Sequence, residues 1–375
     1  MKNKIYKYDF LIVGAGLIGS LLAMSLVKRK FKVKIIEKNF HIANDRRTLA
    51  INANSRDFLN QLGLWKKIKT QPEIIQKIII QDYLHGNQKI IFSNIGEPMG
   101  HVAYNSDLIS ITRDQLEINK CLLTGINLNQ DKIYPNKPIL LNQLRYTFKK
   151  IIFTTGKNTE LNNGFSKKKF PTDHRSYVGF FSHTKTHQNI AYEIFTKEGP
   201  LAVLPAPNLK KNYSTFIYST PKTLTTKDQI KILKKYFDYS HGSIKLQKQI
   251  FQFPLSPHFS QTLRNNVILI GDSLRSMHPV AGQGWNLGIK DIQTFCNLVD
   301  QYGIEFKKLE QIYYGRRNLE SIAYLGMTSL INYVYDHPNF ISSVIIKSSF
   351  KILQKVKPLQ NFFIQQAMGR GYSFN

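Results

Sequence analysis

Cysteine is scarce in this sequence of 375 residues, which contains only Cys121 and Cys296. Two cysteines give no disulfide framework, and their scarcity suits a reducing compartment. The histidines are scattered. His183 and His187 are four residues apart, but no cysteine or acidic residue accompanies them at the spacing of a metal site. We therefore expect a cytoplasmic protein without a bound metal.

Acidic residues are also few: 24 Asp and Glu stand against 52 Lys and Arg, which gives a formal net charge of +28. Lysine pairs and triplets are spread along the whole chain, and no zinc finger, basic zipper or RNP-type motif accompanies them. We interpret them as a generally basic, solvated surface and expect no nucleic-acid partner. Such a surface would still favour anionic lipid headgroups or acidic partner proteins.

The N-terminal segment resembles a signal peptide or a membrane span, because three lysines precede the largely apolar Tyr8–Val27. Asp9 and the spacing of the glycines argue against that interpretation. An apolar content of 42% is typical of a globular protein. The length is sufficient for a large core and two or three substructures.

The same N-terminal residues predict a complete βαβ unit. Phe10–Val13 is a predicted strand, the run from Gly14 to Gly19 a tight turn into a helix, and Lys32–Ile36 a second strand that ends at Glu37. We expect Gly14 to permit the turn, Gly16 to let the backbone approach a pyrophosphate, and Gly19 to allow close packing of helix on strand. Glu37 would accept hydrogen bonds from an adenosine ribose. The unit predicts dinucleotide binding.

A second glycine-rich segment spans residues 267–291. Val267–Ile270 is a predicted buried strand that ends at Gly271-Asp272. Pro279 stiffens the loop that leads to Gly284, and a helix begins near Trp285. The segment directs a carboxylate, a glycine-lined backbone and a helix N-terminus to one place, which favours a large, partly anionic cofactor. The alternative is an ordinary strand–loop–helix with a glycine-rich turn.

Two arginines lie between the glycine sites. Arg47 belongs to the segment from Asp45 to Asn52, and Arg113 to the segment Ile111–Leu116. Arginines on such turns are often plain surface residues. With the flanking glycine sites, they become candidates to bind the phosphates or the ring system of the cofactor.

Together these motifs resemble the FAD-dependent aromatic hydroxylases, most closely the UbiH/UbiF-type hydroxylases of ubiquinone biosynthesis. Further resembling segments are 191–193, 199–205, 253–255 and 366–369. The resemblance implies an α/β fold (α+β overall), with a Rossmann-like FAD-binding domain, an inserted β-sheet substrate domain and C-terminal helices. The expected domains are residues 1–70, 101–165 and 262–305 for FAD, 71–100 and 166–261 for the substrate sheet, and 306–375 for the helical region.

The resemblance also implies the chemistry. Reduced flavin would react with O₂ to give a C4a-hydroperoxide, which hydroxylates the aromatic ring of a polyprenylated ubiquinone precursor. Pro279 and Gly282 would lie on the loop that faces the flavin, with no side-chain acid or base assigned, and His278 is more plausible as a structural residue. The residues expected to bind FAD are Gly14, Gly16, Gly19, Glu37, Arg47, Arg113, Asp272, Gly282, Gln283, Gly284 and Asn286.

The sequence departs from this family at three places, one of which is a shortened segment from Cys121 to Lys149. The family's Ala-Asp-Gly-x-x-Ser motif follows a strand, here expected at Lys150–Phe153, but this chain continues with Thr154–Thr159, in which only the glycine remains. Ser273–Arg275 replaces small residues and a histidine. The electron donor, NAD(P)H or ferredoxin, is therefore open. So is an alternative function as a flavin-binding accessory protein of a quinone-biosynthesis complex with weak or no activity. A halogenase is disfavoured, because Trp65 and Trp285 cannot form the Trp-x-Trp motif of that class.

The C-terminal region predicts amphipathic helices. Residues 340–363 mix apolar side chains with Lys347, Lys351, Lys355 and Lys357, and Pro358 interrupts them. Three of these lysines follow one another at spacings of four, along one helix face opposite apolar residues. The helix either packs on its own domain or rests on a partner complex or on the inner face of the membrane, as a peripheral contact.

Overall fold

The structure is a computed structural model that describes residues 4–41, 47–128, 133–157, 164–170, 172–207, 211–262, 264–277 and 283–371. Its strands are β1 (Ile5–Val13), β2 (Val33–Glu37), β3 (Thr48–Asn52), β4 (Glu73–Ile75), β5 (Lys77–Asp82), β6 (Gln88–Ser93), β7 (Gly100–Tyr104), β8 (Leu122–Thr124), β9 (Ile139–Leu141), β10 (Leu144–Phe153), β11 (Phe165–Lys169), β12 (Arg175–His183), β13 (Ile190–Thr196), β14 (Gly199–Pro205), β15 (Tyr213–Thr220), β16 (Ile244–Pro254), β17 (His258–Thr262), β18 (Val267–Leu269) and β19 (Arg275–Ser276). Its helices are α1 (Leu17–Lys28), α2 (Ala53–Gln61), α3 (Asn105–Ile118), α4 (Thr226–His241), α5 (Gln283–Tyr302), α6 (Leu309–Asp336), α7 (Phe340–Lys355) and α8 (Lys357–Ala367).

A parallel sheet with the strand order β18-β10-β1-β2-β8 forms the centre of the cofactor region, and β9 pairs antiparallel with β10. Phe10, Leu11 and Ile12, in the C-terminal half of β1, are fully buried, as expected for a parallel strand covered on both faces. Helices α1, α3 and α5 pack around this sheet. The predicted α/β class with a Rossmann-like sheet is confirmed, and β10 begins at Leu144, earlier than the predicted strand.

A larger sheet with the order β16-β12-β15-β14-β13-β5-β6 is antiparallel except between β13 and β5. One of its faces packs against α4 through Leu233 and Phe237. Helix α4 begins with a capping box formed by Thr225 and Asp228. The strands of this sheet come from 77–93 and 175–254, and the domain boundaries given above stay a prediction.

Helix α6 contacts both regions. Near its start, the hydroxyl of Tyr313 donates a hydrogen bond to the backbone oxygen of Leu269, and the hydroxyl of Tyr314 accepts one from the N–H of Leu269. Near its end, the ring of Tyr335 stacks on Phe195 of the large sheet, at 4.5 Å between centroids. Helix α7 ends just before Lys357-Pro358, where α8 begins, and both helices pack on β6. In the described part of the chain, none of the helices combines the length and the apolarity that a membrane crossing requires.

Candidate functional site

Three loops meet at the carboxyl edge of the parallel sheet. Strands β1, β10 and β18 are neighbours and run in the same direction, so that the loops after Val13, Phe153 and Leu269 emerge side by side. Ligands of open α/β sheets bind in the crevice outside the carboxyl ends of such strands. The sequence motifs on these loops are thereby brought together in space.

The glycines after β1 differ in what surrounds them. Gly14 has a φ of 104°, and a Cβ there would lie 2.8 Å from the backbone oxygen of Thr154. A Cβ on Gly19 would lie 2.1 Å from the backbone oxygen of Gly14. A Cβ on Gly16 would meet nothing within 4 Å, and Gly16 starts α1 without a side-chain cap. The open space and the uncapped N–H groups of the helix fit an anionic group such as a pyrophosphate.

Glu37, at the end of β2, holds the glycine loop from the other side. One of its oxygens accepts a hydrogen bond from the backbone N–H of Ala15 at 2.9 Å, and the other accepts one from the N–H of Asn39 at 3.1 Å. The carboxylate thus lies beside the turn, where its remaining lone pairs can accept hydrogen bonds from ribose hydroxyls. That role stays a prediction.

The loop after β10 joins the two glycine sites. The hydroxyl of Thr154 donates to the backbone oxygen of Gly14 at 2.7 Å, and the N–H of Gly156 donates to the hydroxyl of Ser273 at 3.1 Å. Sequence reasoning did not identify Thr154 and Ser273 as site residues, because both lay in segments interpreted as departures from the family pattern. The available signal was their position directly after two predicted parallel strands.

Asp272 lies in a concave part of this edge. Its side chain is accessible to solvent, yet the surrounding protein is dense enough to raise its pKa. The cations Lys157, Arg275 and Arg47 partly oppose this effect of burial. An accessible carboxylate in a groove fits a hydrogen-bond acceptor for the hydroxyl groups of a cofactor.

The two predicted arginines differ in their surroundings, since Arg47 lies near Asp272 whereas Arg113 is buried on α3. The guanidinium of Arg47 lies 5.3 Å from the ring centroid of Phe253, and its backbone oxygen accepts from the N–H of Asn105 at the start of α3. Arg113 is 8% exposed, and its Nε has no hydrogen-bond partner among the described residues. A buried guanidinium nitrogen without a partner is costly, and an anionic ligand would satisfy it.

Asn286 is held by protein groups instead of facing open space. Its side-chain oxygen accepts from the hydroxyl of Ser55 at 2.8 Å and from the N–H of Asn52 at 3.2 Å, and its amide donates to the backbone oxygen of Ala50 at 2.9 Å. The residue therefore fastens α5 to β3 and α2. A cofactor contact of Asn286 stays a prediction.

Several residues named in the sequence analysis, including two of the predicted flavin-facing loop, are not among the described residues. Asp45, Asn158, Thr159, His278, Pro279 and Gly282 lie outside the described residues. Gln283 begins α5, but the position of its side chain is likewise outside them. A Cβ on Gly284 would meet nothing within 4 Å, so that the backbone at the N-terminus of α5 is open to a ligand.

Arg275, one of the departures from the family pattern, belongs to a buried ionic network. Its guanidinium donates to Asp291 at 2.8 Å, and the Nε of Arg317 donates to the same carboxylate at 2.6 Å. Asp291 also accepts from the N–H of Gly271 at 3.0 Å, and Glu320 pairs with Arg317. Burial alone would lower the pKa of Arg317, but the two carboxylates hold it above its usual value. The network ties the Gly271 loop to α5 and α6.

A cavity of about 730 Å³ lies elsewhere, beside the end of α1 and the middle of α5. Its lining is largely polar and includes Lys28, Arg29, Gln293 and Asp300. Helix α1 begins at the glycine loop and is 12 residues long, so that its end lies roughly 18 Å from that loop. The cavity is therefore separate from the carboxyl edge of the sheet.

The second face of the large sheet, opposite α4, turns toward the cofactor groove. The ring of Tyr104, at the end of β7, lies 6.2 Å from that of Phe180, and Arg47 lies over Phe253. Phe180 also stacks on Tyr213 at 5.5 Å. The side chains that β12, β14 and β15 present on this face carry no formal charge; they are Ser176, Val178, Phe180, Ser182, Pro200, Ala202, Leu204, Tyr213, Thr215, Ile217 and Ser219. We call these side chains the uncharged wall. Charged residues of the flanking strands border it on the same face, since Glu193 of β13 lies opposite Ala202 and Lys245 of β16 lies opposite Ser182.

The chain is similar to known proteins over most of its length. A family model described as a FAD binding domain matches residues 7–116 and 178–300. The ubiquinone hydroxylase UbiL of Rhodospirillum rubrum is 23% identical over 96% of this chain and 89% of that protein. Kynurenine 3-monooxygenase of Sus scrofa is 26% identical over 81% of this chain and 71% of that protein.

The fold has a counterpart among solved structures. The p-nitrophenol 4-monooxygenase PnpA of Pseudomonas putida superimposes with a TM-score of 0.74 at 14% sequence identity, and the match covers 98% of this chain and 99% of PnpA. The matched family model spans more than half of the chain and includes both glycine sites. With the open glycine loop and the groove around Asp272, this match establishes that the chain belongs to the FAD binding domain family of flavin-dependent monooxygenases.

Proposed function

We propose that this monooxygenase hydroxylates the aromatic ring of a polyprenylated ubiquinone precursor. The uncharged wall is the observation that carries the proposal. An ionised substrate buried against a wall without charges would lose its hydration without gaining a partner. A phenol or quinone ring with an isoprenoid tail has no such cost, and it gains from contact with Phe180 and Tyr213.

When bound, FAD supplies the redox chemistry and the activation of O₂. Residues of the protein would hold and orient FAD. The open backbone at Gly16 and the N-terminus of α1 would bind the pyrophosphate, and Glu37 would bind the ribose. The accessible carboxylate of Asp272 would accept hydrogen bonds from the hydroxyl groups of the ribityl chain.

The first N–H groups of α5, from Gly284 onward, lie at the positive end of a helix of 20 residues. They would stabilise negative charge that develops on the reduced ring system. The aromatic side chains of the wall would exclude water from the space between the sheet and the bound cofactor, which would limit side reactions there.

The proposal does not name a single electron donor, because the sequence lacks the family motif that would indicate one. The loop Thr154–Gly156 stands where the family carries its Asp-Gly motif, and its hydrogen bonds go to the Gly14 loop and to Ser273. NADH, NADPH and reduced ferredoxin are therefore separate arms of the assay.

A kynurenine-type substrate is the second candidate, because three relatives carry that name. An amino acid substrate brings a carboxylate and an ammonium group, and their partners would have to come from residues that border the uncharged wall, such as Lys245 and Glu193, because the wall itself offers none. The alternative of a weakly active accessory protein is not favoured by the relatives, which are named as hydroxylases and monooxygenases.

Purified protein loaded with FAD, supplied with each donor and O₂, tests the proposal. We expect a prenylated phenol to be converted to a product that is one oxygen heavier, as measured by mass spectrometry, and kynurenine to remain unchanged. Conversion of kynurenine alone would overturn the assignment. Flavin absorbance without turnover of any phenol would support the accessory function instead.

Phe180→Ala separates the wall from the cofactor site. Removing this ring should weaken turnover of the prenylated phenol by at least about tenfold while the flavin content stays that of the wild type. Phe181→Ala is the matched control, because Phe181 is an equally buried ring of the same strand that packs on the α4 side of the sheet. Equal losses in both variants would argue against the wall as the substrate surface.

A further inference from the structure

We propose that helices α6 and α7 form a surface that binds the headgroup region of a membrane containing anionic lipids. The proposal does not rest on the proposed function, since it concerns residues outside the cofactor groove and the uncharged wall. The surface consists of Leu319, Ile322, Leu330, Tyr333, Phe340, Ile341, Val344 and Ile345 with Lys347 and Lys351, and is called the apolar-basic surface below.

On α6 the apolar residues of this surface form one stripe. Leu319, Ile322, Leu330 and Tyr333 repeat at intervals that place them on the same side of a helix, and each is more than 60% exposed. The helix carries no charged residue between Glu320 and Asp336. A stripe of this length on the outside of a folded chain is unusual for a surface that stays in water.

Helix α7 carries exposed apolar residues of its own. Phe340 is 83% exposed and Ile341 is 68% exposed, and both follow the end of α6 after three connecting residues. The opposite side of α7 is the one that packs, because Ser342 and Phe350 are buried. The apolar outer side is therefore additional to the side that holds the helix on its own sheet.

Lysines border the apolar residues on the same side of α7. Lys347 and Lys351 follow Phe340 and Val344 at helical intervals and are exposed. Residues 337–375 contain five Lys or Arg and no Asp or Glu. The charge of this region is thus of one sign, and it is complementary to anionic headgroups.

Exposed apolar residues bordered by lysines fit a lipid surface better than they fit other binding partners. A second copy would bring the same positive charge to the contact and would be repelled. An acidic partner protein would match the lysines but would need its own apolar stripe. A bilayer offers both at once, with the acyl boundary for the apolar residues and the headgroups for the lysines.

Binding in this orientation has a consequence for the substrate region. Helix α6 contacts β14 of the large sheet, and Tyr335 stacks on Phe195 of the same sheet. A membrane at the outer stripe of α6 would hold the large sheet at a short, fixed distance from the source of lipid-soluble molecules.

The test uses the full-length protein with bound FAD and two kinds of vesicles, phosphatidylcholine alone and phosphatidylcholine mixed with phosphatidylglycerol. We expect the wild type to sediment with the mixed vesicles and to be released by salt. The double variant K347E/K351E should bind them about thirtyfold more weakly. The variant K66E/K67E is the matched control, because it makes the same change of charge at two exposed lysines after α2 and should bind like the wild type.

The apolar part is tested by F340S/I341S, which should weaken binding to mixed vesicles by roughly tenfold or more. F40S/I118S is its control, because it removes one phenylalanine and one isoleucine that are 69% and 71% exposed, in the segment after β2 and at the end of α3. Thermal unfolding and flavin content are compared for every variant, and all altered side chains are exposed, so that folding should be preserved.

Three results would overturn the proposal. They are no binding of the wild type to anionic vesicles, equal loss in K66E/K67E and K347E/K351E, and a wild-type dimer that F340S/I341S converts to a monomer in light scattering. The last result would assign the surface to a second copy of the chain. Vesicle binding without hydroxylase activity would leave this proposal intact and remove only the proposed function.

Discussion

The carboxyl edge of the parallel sheet (the cofactor edge) and the α4 side of the large sheet bury polar groups in opposite ways. At the cofactor edge, Asp291 is fully buried and accepts hydrogen bonds from Gly271, Arg275 and Arg317. Behind the large sheet, the rings of His183 and His241 lie 4.6 Å apart. The pKa of His241 is lowered to about 3, mainly by burial.

His187 belongs to the same histidine cluster. Burial and the neighbouring His183 lower its pKa to about 4. The Nε2 atoms of His187 and His241 have no hydrogen-bond partner among the described residues. The difference shows two ways to bury a titratable group. A permanent charge needs partners that remain charged, whereas a histidine avoids the cost of burial by staying neutral. The first arrangement is sensitive to substitution and the second to acid.

Removing the shared carboxylate should have the largest effect. Asp291→Asn leaves two guanidinium groups buried around a neutral amide, and we expect a loss of about 3–5 kcal/mol in the free energy of unfolding. Urea denaturation measures it, and flavin affinity should fall with it. Asp300→Asn is the control, since Asp300 forms an exposed pair with Arg29 and should cost at most about 1 kcal/mol. Similar losses in both would break the comparison.

Acid should have the second-largest effect, by destabilising the histidine cluster on the α4 side of the large sheet. In the unfolded chain, histidines take up a proton as the pH falls through their ordinary value of 6.5, whereas the folded chain keeps His187 and His241 neutral to about 4 and 3. The unfolded state then binds more protons, so that stability falls with pH. We expect a loss of about 2 kcal/mol for each of the two between about pH 7 and pH 5.

The measurement is urea denaturation at several pH values. His241→Phe should remove its share of the pH dependence, and His337→Asn, at an exposed histidine of α6's end, should leave the slope unchanged. If stability were flat over this range, the histidines would already be protonated or solvated in the folded state.

Arg275→Met should have a smaller effect than loss of Asp291. The carboxylate would keep its hydrogen bonds from Arg317 and from the N–H of Gly271. We therefore expect a cost of about 1–2 kcal/mol in urea denaturation. A cost equal to that of Asp291→Asn would show that Arg275, not the carboxylate, is the centre of the network.

Gly16→Ala should have the smallest effect on stability. The added Cβ meets nothing in the protein, so that the free energy of unfolding without FAD should change by less than about 1 kcal/mol. Flavin binding, measured by fluorescence quenching, should weaken by roughly tenfold because the methyl group occupies the approach to the backbone. Gly19→Ala is the contrast, since its Cβ would clash with Gly14 and should destabilise the apoprotein.

The sequence predicted the parts of the site that depend on local chemistry. Glycine spacing after an apolar strand located the Gly14 turn, and the strand before Gly271 lies where the apolar run placed it. Both follow from short-range rules, because a turn needs a residue that accepts a positive φ and a buried strand needs continuous apolar residues.

Long-range pairing was beyond sequence reasoning. Arg275 was interpreted as a departure from the family pattern, and only the fold brings it to Asp291 and to Arg317, 42 residues further along the chain. Likewise, nothing local indicates that the amide of Asn286 is used by Ala50 and Ser55. Such contacts depend on which helices pack together, and periodicity does not determine that.

Residues far along the chain complete structures that begin near its start. Tyr313 and Tyr314 hydrogen-bond to the backbone of Leu269 at the end of β18, and Arg317 pairs with Asp291. The backbone oxygen of Met368 accepts from the N–H of Asn54. During synthesis on a ribosome, the βαβ unit emerges first, but its surroundings stay incomplete until α6 has followed. The cofactor region and the C-terminal helices should therefore mature as a single event, and a nascent chain arrested before residue 309 should not retain FAD.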